Sequence, residues 1–265
     1  MNQFEKKHRI VFKVGTSTLT YENHKPNIRR LRALARVLSD LSNRGLDIAL
    51  VTSGAIAVGV SKLGLEKRPE DTRSRQAASC IGQCELIYMY DKAFLEYGKN
   101  IGQLLMTRSD VENDERRTNL INAFEKMFSY GVIPVINEND GIAVEEIVFG
   151  DNDNLSATVA KLINADALVI LSDIDGLYTA DPRTDEDARL ITDVRRVTEE
   201  MLESAGSAGS TRGTGGMVTK LSAVKSAAEA GIDTVLMNGA DPDDIYKLFD
   251  GHSIGTYFHG DEINA

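Results

Sequence analysis

The sequence has few of the residues that build metal centres or disulfides. Its 265 residues include two cysteines and four histidines. Cys80 and Cys84 are four residues apart in a helical pattern, so they share one helix face and do not form a Cys-x-x-Cys pair. We interpret them as small, buried, apolar side chains in a reducing compartment. The histidines are scattered, with no cysteine or carboxylate at metal-ligand spacing, which disfavours a zinc enzyme.

Long apolar segments are also lacking. No apolar run approaches the roughly 20 residues that a bilayer-spanning helix needs. The first apolar segment, Ile10–Val14, is too short for a signal peptide. We therefore expect a cytoplasmic protein that does not enter a membrane. The 42% hydrophobic share is enough to bury a core, and the length suits one large α/β domain or two small lobes.

Positive charge is in deficit. Lysine and arginine number 30 against 40 acidic residues, which gives a formal net charge of −10. A protein that coats nucleic acid needs a basic surface, so we expect no nucleic-acid partner. A small anionic ligand remains compatible with this balance, because a few local cations can oppose the overall field.

Short apolar strands alternate with helical patterns along the chain. The predicted strands are Arg9–Val14, Ile48–Thr52, Ile101–Met106, Val132–Ile136, Ala167–Leu171 and Thr234–Met237. The predicted helices are Pro26–Gly45, Arg75–Tyr97, Arg116–Tyr130, Asn154–Ile163, Val218–Ala230 and Asp243–Phe249. Continuous apolar strands separated by helices predict an α/β fold, a three-layer α/β/α sandwich with a mostly parallel central sheet.

Polar and glycine-rich segments follow four of the predicted strands, where ligands of such sheets bind. The segments are Gly15-Thr-Ser17, Ser53-Gly-Ala55, Asn137-Glu-Asn-Asp140 and Ser172-Asp-Ile-Asp-Gly176. Each alone would be interpreted as an ordinary turn. Together they predict a ligand site at this edge of the sheet.

Lys13 and a glycine-rich tract indicate an anionic ligand. Lys13 stands between apolar residues of the first strand, where a charged side chain needs a partner. The tract 206–216 has the composition of a flexible linker, but it leads into an amphipathic helix that carries Lys220 near its start, as a phosphate-binding loop does. The segment is not a Walker A motif, and the chain has no G-x-G-x-x-G dinucleotide fingerprint.

Acidic and amide residues cluster at Asn137–Asp140 and Gly150–Asn154. Their spacing does not fit an EF-hand loop, and a helix cap accounts for one of them. Such carboxylates could position lysines or bind the ammonium group of an amino acid, and the amides could contact its carboxylate.

Seven motifs in a fixed order carry a resemblance to a known family. They are Lys13-Val-Gly-Thr-Ser17, Thr52-Ser-Gly-Ala55, Arg75-Gln-Ala-Ala78 with Gly82-Gln83, Ile136-Asn-Glu-Asn-Asp140, Gly150-Asp-Asn-Asp-Asn-Leu-Ser156, Ser172-Asp-Ile-Asp-Gly-Leu-Tyr178 and Gly213-Thr-Gly-Gly-Met-Val-Thr-Lys220. On these motifs the chain resembles the amino-acid kinase family over about residues 9–258. The resemblance implies a single kinase domain, with an acceptor-binding lobe at about 1–164 and a nucleotide-binding lobe at about 165–265, and without the C-terminal RNA-binding-like domain that many relatives carry.

The resemblance also implies a reaction, the ATP-dependent phosphorylation of the L-glutamate γ-carboxylate in the first step of proline biosynthesis. Its implied catalytic residues are Lys13, Lys220, Asp153, Gly15 and Gly54. By the resemblance the two lysines flank the phosphoryl group, the glycine N–H groups assist them, and Asp153 holds the lysines in place. The implied glutamate-binding residues are Ser53, Asn137, Asp140, Asp151 and Asn152. The implied nucleotide-binding residues are Lys13, Ser172, Asp173, Tyr178, Thr214, Gly215, Gly216, Met217, Val218, Thr219 and Lys220. Mg²⁺ is expected mainly on the nucleotide phosphates, so no protein ligand is named for it.

Two alternatives remain open on the sequence. A relative acting on another carboxylate, such as acetylglutamate, would gain nothing from an acidic pocket, so Asp140, Asp151 and Asp153 favour a substrate with a free ammonium group. A non-catalytic amino-acid sensor is disfavoured because both lysines and Asp153 are retained. The family resemblance further implies proline as a candidate feedback inhibitor, with the segment Ile142–Phe149 as a candidate flap. We also expect a homo-oligomer, and the apolar helix Arg75–Tyr97 could belong to the core or to an interface.

Overall fold

The computed structural model describes residues 4–142, 152–207 and 216–261. The strands are β1 (Arg9–Val14), β2 (Asp47–Thr52), β3 (Ile101–Met106), β4 (Ile133–Glu138), β5 (Ala167–Ser172), β6 (Leu177–Tyr178), β7 (Leu190–Ile191), β8 (Asp193–Val194), β9 (Asp233–Asn238) and β10 (Thr256–Phe258). The helices are α1 (Thr16–Leu19), α2 (Ile28–Asn43), α3 (Ala55–Lys62), α4 (Thr72–Leu95), α5 (Arg108–Glu112), α6 (Asp114–Ser129), α7 (Asn152–Leu162), α8 (Glu199–Ser207), α9 (Met217–Ala228) and α10 (Ile245–Phe249), with a 3₁₀ turn at Pro242–Asp244.

The chain divides into two compact units. One consists of Met1–Lys13 with Gly150–Ala265, and the other is Val14–Phe149. The predicted lobe boundary near residue 164 differs from this division, because α7 belongs with the C-terminal part of the chain and packs against α9. Which unit binds which ligand stays a prediction.

In the unit Val14–Phe149, the strands follow the order β3-β4-β2, and both neighbouring pairs are parallel. Helix α2 buries its apolar face, and its start is fixed because the Asn27 side chain accepts a hydrogen bond from the Arg30 N–H at 3.1 Å. Gly45 follows the end of α2, in the connection to β2, and has a φ of +93°, a conformation that favours glycine.

Helices α3 and α4 cross in unusually close contact. A Cβ added at Gly59 would lie 1.9 Å from the Ala78 backbone oxygen, and one added at Gly82 would lie 1.8 Å from the Ala55 backbone oxygen. No side chain fits at either position, since interiors are packed without room for such overlap. Glycine at both positions therefore sets the distance between the two helices.

In the other unit, the strand order is β1-β5-β9-β10-β8. The pairs β5–β9 and β8–β10 are parallel, whereas β9–β10 is antiparallel. Strand β5 is buried along its whole length, as expected for a strand covered on both faces. The predicted α/β class with a mostly parallel sheet is confirmed.

Several predicted boundaries move in ways that matter for the site. Helix α4 begins three residues earlier than predicted because the Asp71 side chain accepts the Ser74 N–H at 2.9 Å. Strand β4 continues through Asn137 and Glu138, and α7 begins at Asn152, which places Asp153 in its first turn. Some short elements were not predicted. Two or three residues carry too little periodicity to reveal the strands β6, β7, β8 and β10. Helix α8 was missed because Glu199–Ser207 is mostly polar.

The interpretation of the cysteines as buried is wrong. Cys80 and Cys84 do share one face of α4, but that face is exposed. The buried face is lined instead by small residues such as Ala78 and Gly82, which permit the contact with α3. Most of the proposed flap, residues 143–149, lies outside the described residues. Among the helices of the described ranges, none combines the length and apolar character that a bilayer crossing requires.

Candidate active site

Two lysines converge on one carboxylate in the unit that contains both chain ends. The Lys13 Nζ lies 2.6 Å from Asp153 Oδ1, and the Lys220 Nζ donates to Asp153 Oδ2 at 3.1 Å. The Asp153 side chain is fully buried, and the lysine side chains are 5% and 9% exposed. Thr219 adds a longer hydrogen bond, from its hydroxyl to Asp153 Oδ2 at 3.4 Å. Residues 13, 153 and 220 therefore form one buried cluster, which we call the Lys–Asp–Lys cluster.

Three different elements supply the members of this cluster. Lys13 is the penultimate residue of β1, whose other central side chains are buried apolar groups. Asp153 stands in the first turn of α7, where the helix dipole favours a carboxylate. Lys220 stands in the first turn of α9, which begins after Gly216. The packing of α7 against α9 brings the second and third members together.

The charge of the cluster indicates what it can bind. Two ammonium groups and one carboxylate carry a net charge of +1, and all three side chains are buried. Buried charge is costly unless it is paired, because the low-dielectric interior does not solvate it as water does. Two ammonium groups that one carboxylate holds in fixed positions can attract an anionic group such as a phosphate.

A second group of polar side chains stands at the carboxyl ends of β5 and β9. Ser172 is buried and its hydroxyl donates to Asp173 Oδ1 at 3.2 Å, while Asp173 itself is exposed. The Tyr178 hydroxyl donates to Asp175 Oδ2 at 3.0 Å, and this bond raises the pKa of Tyr178. Asn238 completes the group by donating to Asp175 Oδ1 at 2.7 Å. Asp175 lies in the polar segment predicted after β5 but was assigned no role, and Asn238, the last residue of β9, was not among the predicted site residues.

The glycine-containing segments lie at helix starts, as was predicted for the tract before Lys220. Gly54 precedes α3 with a left-handed φ of +103°, and Gly15 precedes the short helix α1. Ser53 is partly buried beside Gly54. Gly216 precedes α9, whose first residues are Met217, Val218 and Thr219. Thr214 and Gly215 lie outside the described residues.

The predicted acceptor-binding residues Asn137 and Asp140 contact helix α4. Asn137 is buried and its Nδ2 donates to Gln83 Oε1 at 2.8 Å, while its Oδ1 accepts the Glu138 N–H at 2.9 Å. The Ser79 hydroxyl donates to Asp140 Oδ2 at 2.8 Å. Ser79 was not predicted, and Gln83 was given no role. No local sequence signal identifies them, since both contacts join segments more than fifty residues apart.

The surroundings of Asp140 contain charge of both signs. Burial raises the pKa of Asp140 above its ordinary value, while the Ser79 hydrogen bond and the charges of Arg68 and Arg75 oppose that shift. Burial and the neighbouring Arg75 lower the pKa of Arg68. A carboxylate beside two guanidinium groups can receive both the ammonium and the carboxylate of a zwitterion. Neither arginine was among the predicted site residues.

The members of the predicted acidic pocket differ in their surroundings. The acidic pocket of Asp140, Asp151 and Asp153 is predicted to favour an ammonium group, but both Asp153 oxygens face lysines, the contact that its implied role of holding them requires. Asp140 therefore remains as the described carboxylate of that pocket that can receive an ammonium group of the substrate. Asp151 lies outside the described residues, and Asn152 is the partly buried first residue of α7.

Comparison with known proteins places these features in a family. The model of the amino acid kinase family matches residues 8–238. A protein of Clostridium perfringens named glutamate 5-kinase is 53% identical over 254 residues, covering 94% of each chain, and one of Streptococcus thermophilus with the same name is 46% identical over 259 residues, covering 96% of this chain and 97% of the relative. Among solved structures, isopentenyl phosphate kinase of T. acidophilum has a TM-score of 0.63 at 22% identity, covering 95% of this chain and all of that one. UMP kinase of Bacillus anthracis has a TM-score of 0.64 at 14% identity, covering 96% and 97%. These two structures share the fold, and the family model and the relatives together show that the chain belongs to the amino acid kinase family.

Proposed function

We propose that this chain transfers the γ-phosphoryl group of ATP to the γ-carboxylate of L-glutamate, giving γ-glutamyl phosphate and ADP in the first step of proline biosynthesis. The near full-length similarity to relatives named glutamate 5-kinase carries this proposal. The buried Lys–Asp–Lys cluster supports it, because phosphoryl transfer depends mainly on positioning and charge compensation.

The reaction needs no general base. One oxygen of the γ-carboxylate forms a bond to the γ-phosphorus, and the bond from that phosphorus to the bridging oxygen breaks, so ADP leaves with the electron pair. A glutamate side chain has a pKa of about 4.3, so the nucleophile is already ionised at neutral pH. The protein therefore has to hold two anions close together and offset their repulsion.

The Lys–Asp–Lys cluster suits that task. In this proposal Lys13 and Lys220 stabilise the negative charge that spreads over the phosphoryl group during transfer, and Asp153 holds both ammonium groups in place. Preorganised charge of this kind is typically the largest contribution to such reactions. In the same proposal the backbone N–H groups of Gly15 and Gly54 donate to the phosphoryl oxygens.

The nucleotide is assigned to Ser172, Asp173 and Tyr178 and to the segment 214–220. Mg²⁺ bound together with the nucleotide would neutralise part of the phosphate charge. Within residues 4–142, 152–207 and 216–261 no three histidine, cysteine or acidic side chains are grouped to hold a metal ion. That the nucleotide carries the cation, with no protein ligand named, stays a prediction.

The acceptor is assigned to Ser53, Asn137, Asp140, Asp151 and Asn152. Asp140 would receive the ammonium group of glutamate, and the positive charge of Arg68 and Arg75 beside it would attract the α-carboxylate. An N-acetylated substrate lacks the ammonium charge and would leave the buried Asp140 carboxylate without that partner. Glutamate is therefore favoured over acetylglutamate.

Trapping the product tests this function directly. The purified protein is incubated with Mg-ATP, hydroxylamine and either L-glutamate or N-acetyl-L-glutamate, and the hydroxamate and the ADP are measured. We expect hydroxamate and ADP in equal amounts with glutamate, and far less of both with the acetylated substrate. Glutamate binding without ADP release would indicate a sensor and overturn the proposal. Adding L-proline tests feedback inhibition, which stays a prediction together with the homo-oligomer and the cytoplasmic location.

A further inference from the structure

Helix α4 contacts Asn137 and Asp140, the two residues near the end of β4 that are assigned to glutamate binding. Ser79 and Gln83 are four residues apart on α4, so their side chains lie on the same helix face, one turn from each other. Ser79 donates to Asp140, and Gln83 accepts from Asn137, each at 2.8 Å. Ser79 and Gln83 are 3% and 8% exposed, which makes both contacts well shielded from water.

The contact to Gln83 has a defined direction. The Glu138 N–H can only donate, so it fixes the Asn137 oxygen on its own side at 2.9 Å. The amide nitrogen of Asn137 must then point the other way, where it meets the Gln83 oxygen. A side chain that cannot accept a hydrogen bond at position 83 would leave this buried nitrogen without that partner, which is costly.

We propose that Ser79 and Gln83 are positioning residues for the acceptor: from one face of α4 they hold the Asp140 carboxylate and the Asn137 amide in the geometry that binds glutamate. The inference rests on the proposed function, because it assigns the purpose of these contacts to glutamate binding. Neither side chain is assigned a contact with the reacting atoms.

The packing of α4 gives this arrangement its rigidity. Gly59 and Gly82 bring α3 and α4 so close that a Cβ at either position would overlap backbone oxygen, so the helices cannot slide past each other without separating. Gly82 directly precedes Gln83, and α3 begins directly after Ser53 and Gly54. One helix pair therefore fixes the position of Ser53 and, through Ser79 and Gln83, the positions of Asp140 and Asn137.

Steady-state kinetics of Ser79→Ala test the inference. The change deletes one hydroxyl, so we expect a folded protein whose KM for glutamate rises about tenfold, the equivalent of about 1.4 kcal/mol. The KM for ATP should stay within about twofold, because Asp140 is assigned to the acceptor alone. Ser79→Thr keeps the hydroxyl and should restore the KM for glutamate.

Gln83→Met provides an independent variant, since it keeps the length of the side chain and removes the hydrogen-bond acceptor. We expect the same selective rise in the KM for glutamate. Cys84→Ser is the matched control, because Cys84 is the next residue of α4 and is exposed, and it should behave as the wild type. Melting temperatures of all variants identify any that fail to fold.

The pH dependence separates positioning from general loosening. Asp140 faces Arg68 from the loop before α4, and Arg75 and Ser79 from α4 itself. The Ser79 hydrogen bond lowers the pKa of Asp140, so its loss in Ser79→Ala should move the rise in KM for glutamate at acidic pH to a higher pH.

The outcomes distinguish this inference from the proposed function. Wild-type turnover with an unchanged KM for glutamate in both Ser79→Ala and Gln83→Met would overturn the positioning role and leave the function in place. Equal rises in the KM for both substrates would also overturn it, as would an unmoved pH profile. If the wild type does not phosphorylate glutamate, the function and the inference fall together.

Discussion

Replacing Asp153 by asparagine is the most severe single test of the Lys–Asp–Lys cluster. The substitution preserves shape but removes the negative charge that pairs with Lys13 at 2.6 Å and Lys220 at 3.1 Å. The net charge of the three side chains changes from +1 to +2, and the side chain at position 153 is fully buried. An amide nitrogen would also face one of the two ammonium groups, donor against donor.

The size of the effect follows from the cost of unpaired buried charge. Breaking a buried ion pair by removing one partner costs about 3–5 kcal/mol. For a chain near this length, each kcal/mol lowers the melting temperature by roughly 2–4 °C, so Asp153→Asn should melt about 6–20 °C below the wild type. The upper part of that interval is expected, because two lysines lose the same partner.

Thermal melting and turnover are measured on the same samples. We expect Asp153→Asn to lose at least about 10²-fold in turnover, since the two lysines are no longer held for the transition state. Asp114→Asn is the matched control. Its carboxylate pairs with Arg117 on the surface and is 89% exposed, so its melting temperature should change by about 2 °C at most.

A comparison with Lys220→Ala refutes or supports the charge argument. That variant leaves Lys13 and Asp153 as a neutral pair, so it should melt well above Asp153→Asn although both lose turnover. If Asp153→Asn melts like the wild type, or if Lys220→Ala is the less stable of the two, the reasoning from unpaired charge is refuted.

Three further outcomes are expected. Lys220→Ala should lower kcat at saturating substrates by about 10²-fold or more, and near-normal turnover would remove Lys220 from the mechanism. Asp140→Ala should raise the KM for glutamate and leave the KM for ATP nearly unchanged. In the wild type, burial raises the pKa of Asp140, so the KM for glutamate should rise at acidic pH as protonation removes the charge of this carboxylate. A KM for glutamate that does not change at acidic pH would argue against ammonium binding at Asp140. Gly82→Ala should lower the melting temperature markedly, because its Cβ would lie 1.8 Å from the Ala55 oxygen, and a wild-type melt would contradict the tight helix crossing.

The strands and the polar segments after them could be predicted from the sequence because they are local features. A run such as Arg9–Val14 has its apolar character and its terminal glycine within a few residues. The partner of Lys13 was different. A charged residue in an apolar strand predicts that a partner exists, and the local residues alone favour an external anion. The Asp153 carboxylate of the chain itself lies there, and only the family resemblance, not the local pattern, implies this contact.

Helix α4 shows where prediction from the sequence fails. Its faces hardly differ in hydrophobicity, so the periodicity does not indicate which side is buried. The close contact with α3 selects the face with Ala78 and Gly82, and Cys80 and Cys84 turn outward as a result. Likewise, the contacts of Ser79 and Gln83 depend on where β4 ends in space, which no local pattern records.

The net charge of −10 does not oppose the binding of two anionic substrates. Exposed charges are screened beyond a Debye length of about 8–10 Å at moderate ionic strength, so most acidic side chains act only on their own surroundings. Charges in a buried cluster interact more strongly, because the interior has a lower effective dielectric constant than water. The Lys–Asp–Lys cluster places its net charge of +1 in such an interior. Lys13, Asp153 and Lys220 therefore act more strongly on a phosphate bound beside them than distant acidic side chains of the surface do.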